Sequence, residues 1–117
     1  MVLKRSKTIF ILHSLGLLLT LALASTLQAQ DAVADLFNGK CAHCHGADGL
    51  ANTPAGKAHH VPPFTAPAVM KMSDTDLIAI VKNGKGKMPS YGNRLTDAQM
   101  QEAVGYIRTL QKQTKKD

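Results

Sequence analysis

Two cysteines and a histidine are the residues of this chain best placed to do chemistry. Cys41 and Cys44 lie three positions apart and His45 follows directly, in the order Cys-Ala-His-Cys-His. Thiols at this spacing can each add to one vinyl group of the same porphyrin, after which the histidine can ligate the iron. The motif therefore predicts one covalently attached c-type haem, with Cys41 and Cys44 as thioethers and His45 as an axial ligand.

The two nitrogens of the His45 ring would have different roles. One would bind iron, and the other is expected to donate to a backbone carbonyl, since such a bond fixes the tautomer and the ring plane of a ligand histidine. The loop that contains Pro62 and Pro63 is where we expect that carbonyl.

A methionine is expected as the second axial ligand. Met88 lies in a loop rich in glycine and lysine and precedes Pro89, where an exposed methionine has no packing role. A thioether ligand would explain it, and Met/His ligation raises the potential of haem iron. The alternatives are Met70, Met72 and Met100, of which Met100 fits the apolar stripe of a helix better.

Three further histidines follow or interrupt the motif. His43, between the cysteines, is expected to face solvent. The adjacent pair His59 and His60 would serve as a source of bis-histidine ligation or as a surface metal site, although such pairs in loops are usually solvated.

Three functions are compatible with these residues. Two axial protein ligands favour a one-electron carrier that is not an enzyme, because they leave the iron no open position. A weak or absent Met88 ligand would favour a haem enzyme or a sensor of gas or peroxide, with His59, His60 and Arg94 as the distal candidates. The cysteines would otherwise serve a thiol-redox or metal-binding module, but the βαβ pattern of a thioredoxin-like fold is missing.

The N-terminus is typical of an export signal. Three basic residues within the first seven positions precede an apolar run over 9–24, and small or polar residues follow. We expect a signal peptide at 1–29, cleaved after Ala29 or alternatively after Ala24, and a haem domain at 30–117. The run is short for a membrane span, so the expected location is the periplasm; an uncleaved anchor at the periplasmic face of the inner membrane is the alternative.

The size and charge of the expected mature domain agree with a cofactor-stabilised carrier. A domain this small rarely builds a sufficient core alone, and a porphyrin would supply apolar surface for its helices. Loss of three of the 14 basic residues halves the formal net charge of +6. With aromatic residues at 4% and no basic stripe, nucleic-acid binding is not expected.

Hydrophobic spacing predicts three helices. The first begins with Asp31 as its cap and ends near Asn38-Gly39, the second begins at the cap Ser73, and the third begins at Thr96 with a capping-box pattern. Their expected buried faces are Val33, Leu36 and Phe37, then Leu77, Ile78, Ile80 and Val81, then Met100, Ala103, Val104, Ile107 and Leu110.

The segments between the predicted helices lack any period. Residues 46–67 are expected to form one long loop, and 84–94 a second loop. Residues 111–117 are expected to be a charged, frayed tail. No segment predicts a convincing strand.

Several short stretches of the chain form a recognisable set. They are Phe37, Cys41-Ala42-His43-Cys44-His45-Gly46, Asp48-Gly49, Gly84-Lys85-Gly86-Lys87-Met88-Pro89-Ser90-Tyr91, Arg94-Leu95-Thr96-Asp97 and Gly105-Tyr106-Ile107-Arg108. With this set the chain resembles the small bacterial class I c-type cytochromes, a group that includes cytochrome c6-like, c551/c552-like and cbb3-oxidase-associated haem domains.

The resemblance implies an all-α class I cytochrome c fold, in which three to four short helices wrap around one covalent haem. The first and last helices would cross near Phe37 and Tyr106. Members usually pass single electrons between membrane complexes, which implies a carrier in a respiratory or related chain.

The resemblance also implies a site. Cys41 and Cys44 would carry the thioethers, and His45 and Met88 would be the axial ligands. Some relatives bond a haem propionate with a tryptophan, which this chain lacks. The candidates to replace it are Tyr91, Arg94 and Lys57.

Basic residues cluster around Met88. Lys82, Lys85 and Lys87 precede it and Arg94 follows, which either makes a solubilising surface or forms a positive collar around the cofactor edge. A collar would steer docking to acidic redox-partner proteins, such as a membrane oxidase or reductase. The carrier is expected to be a monomer.

Overall fold

The computed structural model describes residues 30–114, so the expected signal peptide and the last three residues lie outside the described residues. The described part forms helices joined by turns and loops, and apart from an isolated bridge between Lys85 and Met88 it contains no strand. The prediction of an all-α fold is confirmed. The helices are α1 (30–40), α2 (Ala42–His45), α3 (Pro54–Ala58), α4 (Pro67–Met70), α5 (Asp74–Asn83) and α6 (Asp97–Gln113).

The starts of the two long C-terminal helices agree with the sequence patterns. The Ser73 side chain accepts a hydrogen bond from the Asp76 backbone N–H, and the Asp76 carboxylate accepts one from the Ser73 N–H. Thr96 and Gln99 form the same reciprocal pair at the start of α6. Both capping boxes satisfy N–H groups that have no partner inside the helix, so the starts of α5 and α6 are set locally.

The first helix differs from its prediction at both ends. Residue 30 is already helical, so Asp31 lies inside α1 and is not its cap. The helix also continues through Gly39, and the Cys41 N–H still donates to the Phe37 carbonyl at 2.8 Å. One glycine costs a helix only about 1 kcal/mol, which the packing of Phe37 offsets.

The segment 46–67 is not one continuous loop, as predicted, because it contains α3 and the start of α4. Thr53 caps α3 by accepting from the Gly56 N–H at 2.8 Å, and Pro54 occupies the first turn. Pro67 likewise occupies the first turn of α4, which has no side-chain cap. The described part therefore has more helices than the three to four expected, because segments of four or five residues are too short to produce a hydrophobic period.

The tail prediction was wrong for residues 111–113, which lie within α6. Of these, Gln111 is only 3% exposed. Its side-chain Nε2 donates to the Phe64 carbonyl at 2.8 Å, which satisfies a buried polar group and fastens the end of α6 to the centre of the chain.

From Val33 onward the described residues belong to one unit, whose core is built by α1, α5 and α6. The Phe37 and Tyr106 rings lie 5.2 Å apart, which confirms the expected contact between the first and last helices. Among the described helices, none is both long and apolar enough to cross a membrane. The buried apolar residues include the whole expected stripe of α6, together with Phe37, Phe64, Val69, Leu77, Val81 and Leu95.

Candidate haem site

An apolar cavity of about 370 Å³ lies inside this unit. All four predicted site residues line it: Cys41, Cys44 and His45 from the turn around α2, and Met88 from the loop after α5. The rest of the wall is mainly apolar and comprises Phe37, Val61, Pro62, Phe64, Val69, Met72, Leu77, Ile80, Val81, Pro89, Tyr91, Leu95, Ala103 and Ile107.

A single helical turn positions the two cysteines and the histidine. The Cys44 and His45 N–H groups both donate to the Cys41 carbonyl, at 3.2 and 3.0 Å. Residues three and four positions apart share a helix face, so all three side chains can reach the same cavity. The Thr53 hydroxyl donates to the Cys44 carbonyl at 3.1 Å and ties this turn to α3.

The His45 ring is half-buried, and its buried nitrogen Nδ1 lacks a hydrogen bond. Its Nδ1 has no partner among the described residues, so the expected bond to a carbonyl near Pro62 and Pro63 is not formed. The ring instead stacks on Phe64, with centroids 4.7 Å apart and planes inclined by 17°. Burial lowers the pKa of His45 below its ordinary value, which favours the neutral imidazole that a metal requires.

The chemistry of Cys41 argues against a thiol-redox role. Burial raises the pKa of the Cys41 thiol above its ordinary value, and the nearby Lys40 charge opposes this only in part. Reactive cysteines need the opposite shift, because the thiolate is the nucleophile. Within residues 30–114, no group of three or more histidine, cysteine or acidic side chains is arranged to hold a metal ion.

A tight turn presents Met88. Lys85 and Met88 exchange backbone hydrogen bonds of 2.9 and 3.1 Å, and Gly84 at φ +76° enters the turn. A Cβ at Gly84 would lie 2.7 Å from the Met88 carbonyl oxygen, so the turn depends on glycine there.

Of the four methionines considered as axial ligands, only Met72 and Met88 line the cavity. Met100 is 1% exposed in the core, as expected, and Met70 does not line the cavity. Met72 does line it and is therefore the rival of Met88.

The polar part of the cavity wall is basic. His59, His60, Lys40, Lys85 and Lys87 all line it, and no aspartate or glutamate does so in the part of the chain described. A rim of this kind suits an anionic occupant, such as a porphyrin with two propionates.

The other candidates predicted from the sequence differ in whether they line the cavity. Tyr91 lines the cavity, but its hydroxyl donates to the Lys40 carbonyl at 2.8 Å. Arg94 and Lys57 do not line it, and the Arg94 guanidinium lies 5.9 Å from the centroid of the Tyr91 ring. His43 is exposed and does not line it either, as expected.

The basic collar is smaller than the sequence indicates. The Lys82 Nζ lies 3.1 Å from the Asp97 carboxylate, so its charge is already paired. Lys85 and Lys87 are exposed, line the cavity and form no ion pair within the described residues. They form the remaining collar.

The residues present fit a haem in two ways. The walls are apolar, and the charged residues of the rim that the structure describes carry one sign only. Phe64, Thr53 and Gln111 support this arrangement but were not predicted from the sequence. Of the three, only Phe64 could have been noticed as a site candidate, because it is one of only three phenylalanines and directly follows two prolines.

Comparisons with known proteins point to the same cofactor. The family described as "Cytochrome C oxidase, cbb3-type, subunit III" matches residues 28–107. A cytochrome c6 from Nostoc sp. is 33% identical over 113 residues, which cover 86% of this chain and 91% of that protein. A cytochrome c6 from Bryopsis maxima is 35% identical over 82 residues, or 63% of this chain and 83% of that protein. The chain therefore belongs to the cytochrome c family, as a small class I c-type cytochrome with one covalent haem.

Proposed function

We propose that this haem-based electron carrier holds its cofactor through thioethers at Cys41 and Cys44 and axial bonds from His45 and Met88. The observation that carries the proposal is that one apolar cavity collects all four side chains from two separate segments. The bound haem would supply an iron centre that gains and loses one electron.

The residues of the chain would suit this centre to electron transfer without other chemistry. Burial lowers the pKa of His45 and so favours its neutral form, and the Met88 turn is restrained by its two backbone hydrogen bonds. Two protein ligands leave no position for a substrate, and the apolar walls limit the access of water. The protein would accordingly be a carrier and not an enzyme.

Ligand binding by the reduced protein tests the carrier proposal. We expect carbon monoxide to bind slowly and incompletely, because the Met88 thioether must first dissociate. Stopped-flow mixing with carbon monoxide measures this directly. Fast, complete binding would contradict the proposal and favour the enzyme or sensor, for which His59 and His60 line the same cavity.

We propose that the domain 30–117 acts in the periplasm, after removal of residues 1–29, as a monomer. The basic, apolar and small residues that follow one another at the N-terminus support this proposal. The N-terminal sequence of the protein recovered from a periplasmic fraction tests it, and an intact N-terminus in a membrane fraction would favour the tethered alternative.

The partners would be acidic redox proteins in a respiratory or related chain, docked at Lys85 and Lys87. Reversing both charges, in Lys85→Glu/Lys87→Glu, is expected to slow electron exchange with the hexacyanoferrate anion roughly tenfold at low ionic strength. At about 1 M salt, where the Debye length is only ~3 Å, the rates should converge with those of the unsubstituted protein. Stopped-flow kinetics at several salt concentrations measures both effects.

A matched control separates the effect of the position of Lys85 and Lys87 from the effect of the change in net charge. Lys71 and Lys112 are exposed and do not line the cavity, so Lys71→Glu/Lys112→Glu changes the net charge equally at a different place. We expect a much smaller rate change in this control. Equal slowing in both variants would reduce the collar to a solubilising surface.

A further inference from the structure

The Phe64 ring is packed directly against the His45 imidazole. The two planes are within 17° of parallel and the centroids are 4.7 Å apart. The other aromatic neighbour of Phe64 is Phe37, whose ring is tilted by 60° at 6.1 Å. Phe64 is 7% exposed and His45 is half-buried, so the stack forms part of the cavity wall.

This stack restrains a ring that lacks the usual restraint. A ligand histidine is normally oriented by a hydrogen bond from its second nitrogen, but Nδ1 of His45 has no partner among the described residues. Rotation of the imidazole about its Cβ–Cγ bond would drive its edge into the Phe64 face. Contact with the Phe64 face opposes that rotation on this side of the imidazole.

Phe64 is in turn held by its backbone. Its N–H donates to the Gly49 carbonyl at 2.9 Å, and its own carbonyl accepts from the Gln111 side chain at 2.8 Å. Gln111 is fixed by Arg108, whose Nη1 donates to the Gln111 Oε1 at 3.0 Å.

The position of the ring also requires a glycine. Gly49 adopts φ +74°, and a Cβ there would lie 2.5 Å from the Phe64 ring. The space occupied by Phe64 is therefore defined from the backbone side as well as from the His45 side.

We infer that Phe64 is a positioning residue that sets the plane of the His45 imidazole. The inference rests on the proposed function, in which His45 is an axial ligand. The orientation of an axial imidazole decides which iron d orbital holds the unpaired electron of the oxidised low-spin haem. Phe64 would thus set the magnetic asymmetry of the oxidised protein.

Phe64→Leu in the haem-loaded protein tests this inference. We expect the largest electron paramagnetic resonance g value of the oxidised form to shift, and the spread of its haem-methyl proton signals to change. Phe64→Tyr retains the aromatic face and should restore values close to those of the unsubstituted protein. An oxidised Phe64→Leu protein with unchanged g values and methyl shifts would overturn the inference.

Tyr106→Leu is the matched control. It removes an aromatic ring that packs against the same cluster, but one that neither lines the cavity nor stacks on His45. We expect the thermal unfolding temperature to fall in both leucine variants and the magnetic signals to move only in Phe64→Leu. Equal magnetic changes in both would indicate general loosening of the core and would also overturn the inference.

Gln111→Met provides a second variant should Phe64→Leu fail to load haem. It keeps the Phe64 ring and removes the hydrogen bond to its carbonyl, so a smaller change in the methyl spread is expected, and no change would count against the inference. If His45 is not an axial ligand, the proposed function itself fails, and His45→Ala would then keep the low-spin spectrum. A low-spin spectrum that depends on His45, with g values and methyl shifts that do not depend on Phe64, overturns the positioning role alone.

Discussion

In His45→Ala, we expect the low-spin spectrum of the haem protein to be lost in both oxidation states. The substitution removes the only imidazole in the α2 turn that lines the cavity, and the remaining small side chain cannot bind iron. Without this ligand the iron loses one of its two strong axial bonds and becomes high-spin. Visible absorption of the purified oxidised and reduced variant measures the change.

Two control experiments test whether the loss of the low-spin spectrum is specific to the His45 imidazole. His43→Ala changes an exposed histidine of the same turn that does not line the cavity, and its spectrum should be unchanged. Free imidazole added to His45→Ala should enter the space left by the side chain and restore the low-spin bands. A variant that remains low-spin without added imidazole would indicate that His59 or His60 is the ligand.

In Met88→Ala, we expect the sulfur-to-iron charge-transfer band at the red end of the oxidised spectrum to disappear. The reduction potential should also fall, by a substantial part of the roughly 0.8 V range over which axial ligands tune haem. The reduced variant should bind carbon monoxide rapidly, because the second axial position is then open. Spectroelectrochemistry and stopped-flow mixing give the three readouts.

Met72→Ala is the control for this assignment, since Met72 lines the same cavity. We expect it to keep the charge-transfer band and to lose only stability, by the few kcal/mol typical of a truncated methionine in a packed region. The opposite pattern, with the band lost in Met72→Ala and kept in Met88→Ala, would move the axial bond to Met72.

The parts of the fold that could be predicted are those set by local sequence. The cap at Ser73 and the capping box at Thr96 need only residues three positions apart, and the apolar stripe of α6 repeats over several turns. Both were therefore visible in the sequence. The helices α3 and α4 were not, because four or five residues carry no period, and their caps Thr53 and Ala66 sit in a stretch that resembles a loop.

The parts of the site that could not be predicted depend on contacts between distant segments. The thioether and histidine positions follow from the spacing of one motif, but the stack of Phe64 on His45 joins residues 19 positions apart without any pattern between them. The burial of Gln111 likewise follows from a bond to Phe64, 47 positions away. The pairing of Lys82 with Asp97 reduced the expected collar for the same reason.

Peptide mass spectrometry of the tryptic digest tests the central claim most directly. Trypsin cuts after Lys40 and Lys57, so both cysteines and His45 fall in the single peptide 41–57. We expect this peptide to carry one haem and to have no thiol that reacts with an alkylating reagent, because both sulfurs are in thioethers. A peptide without haem, with two thiols that react, would contradict covalent attachment at Cys41 and Cys44 and return them to thiol or metal chemistry.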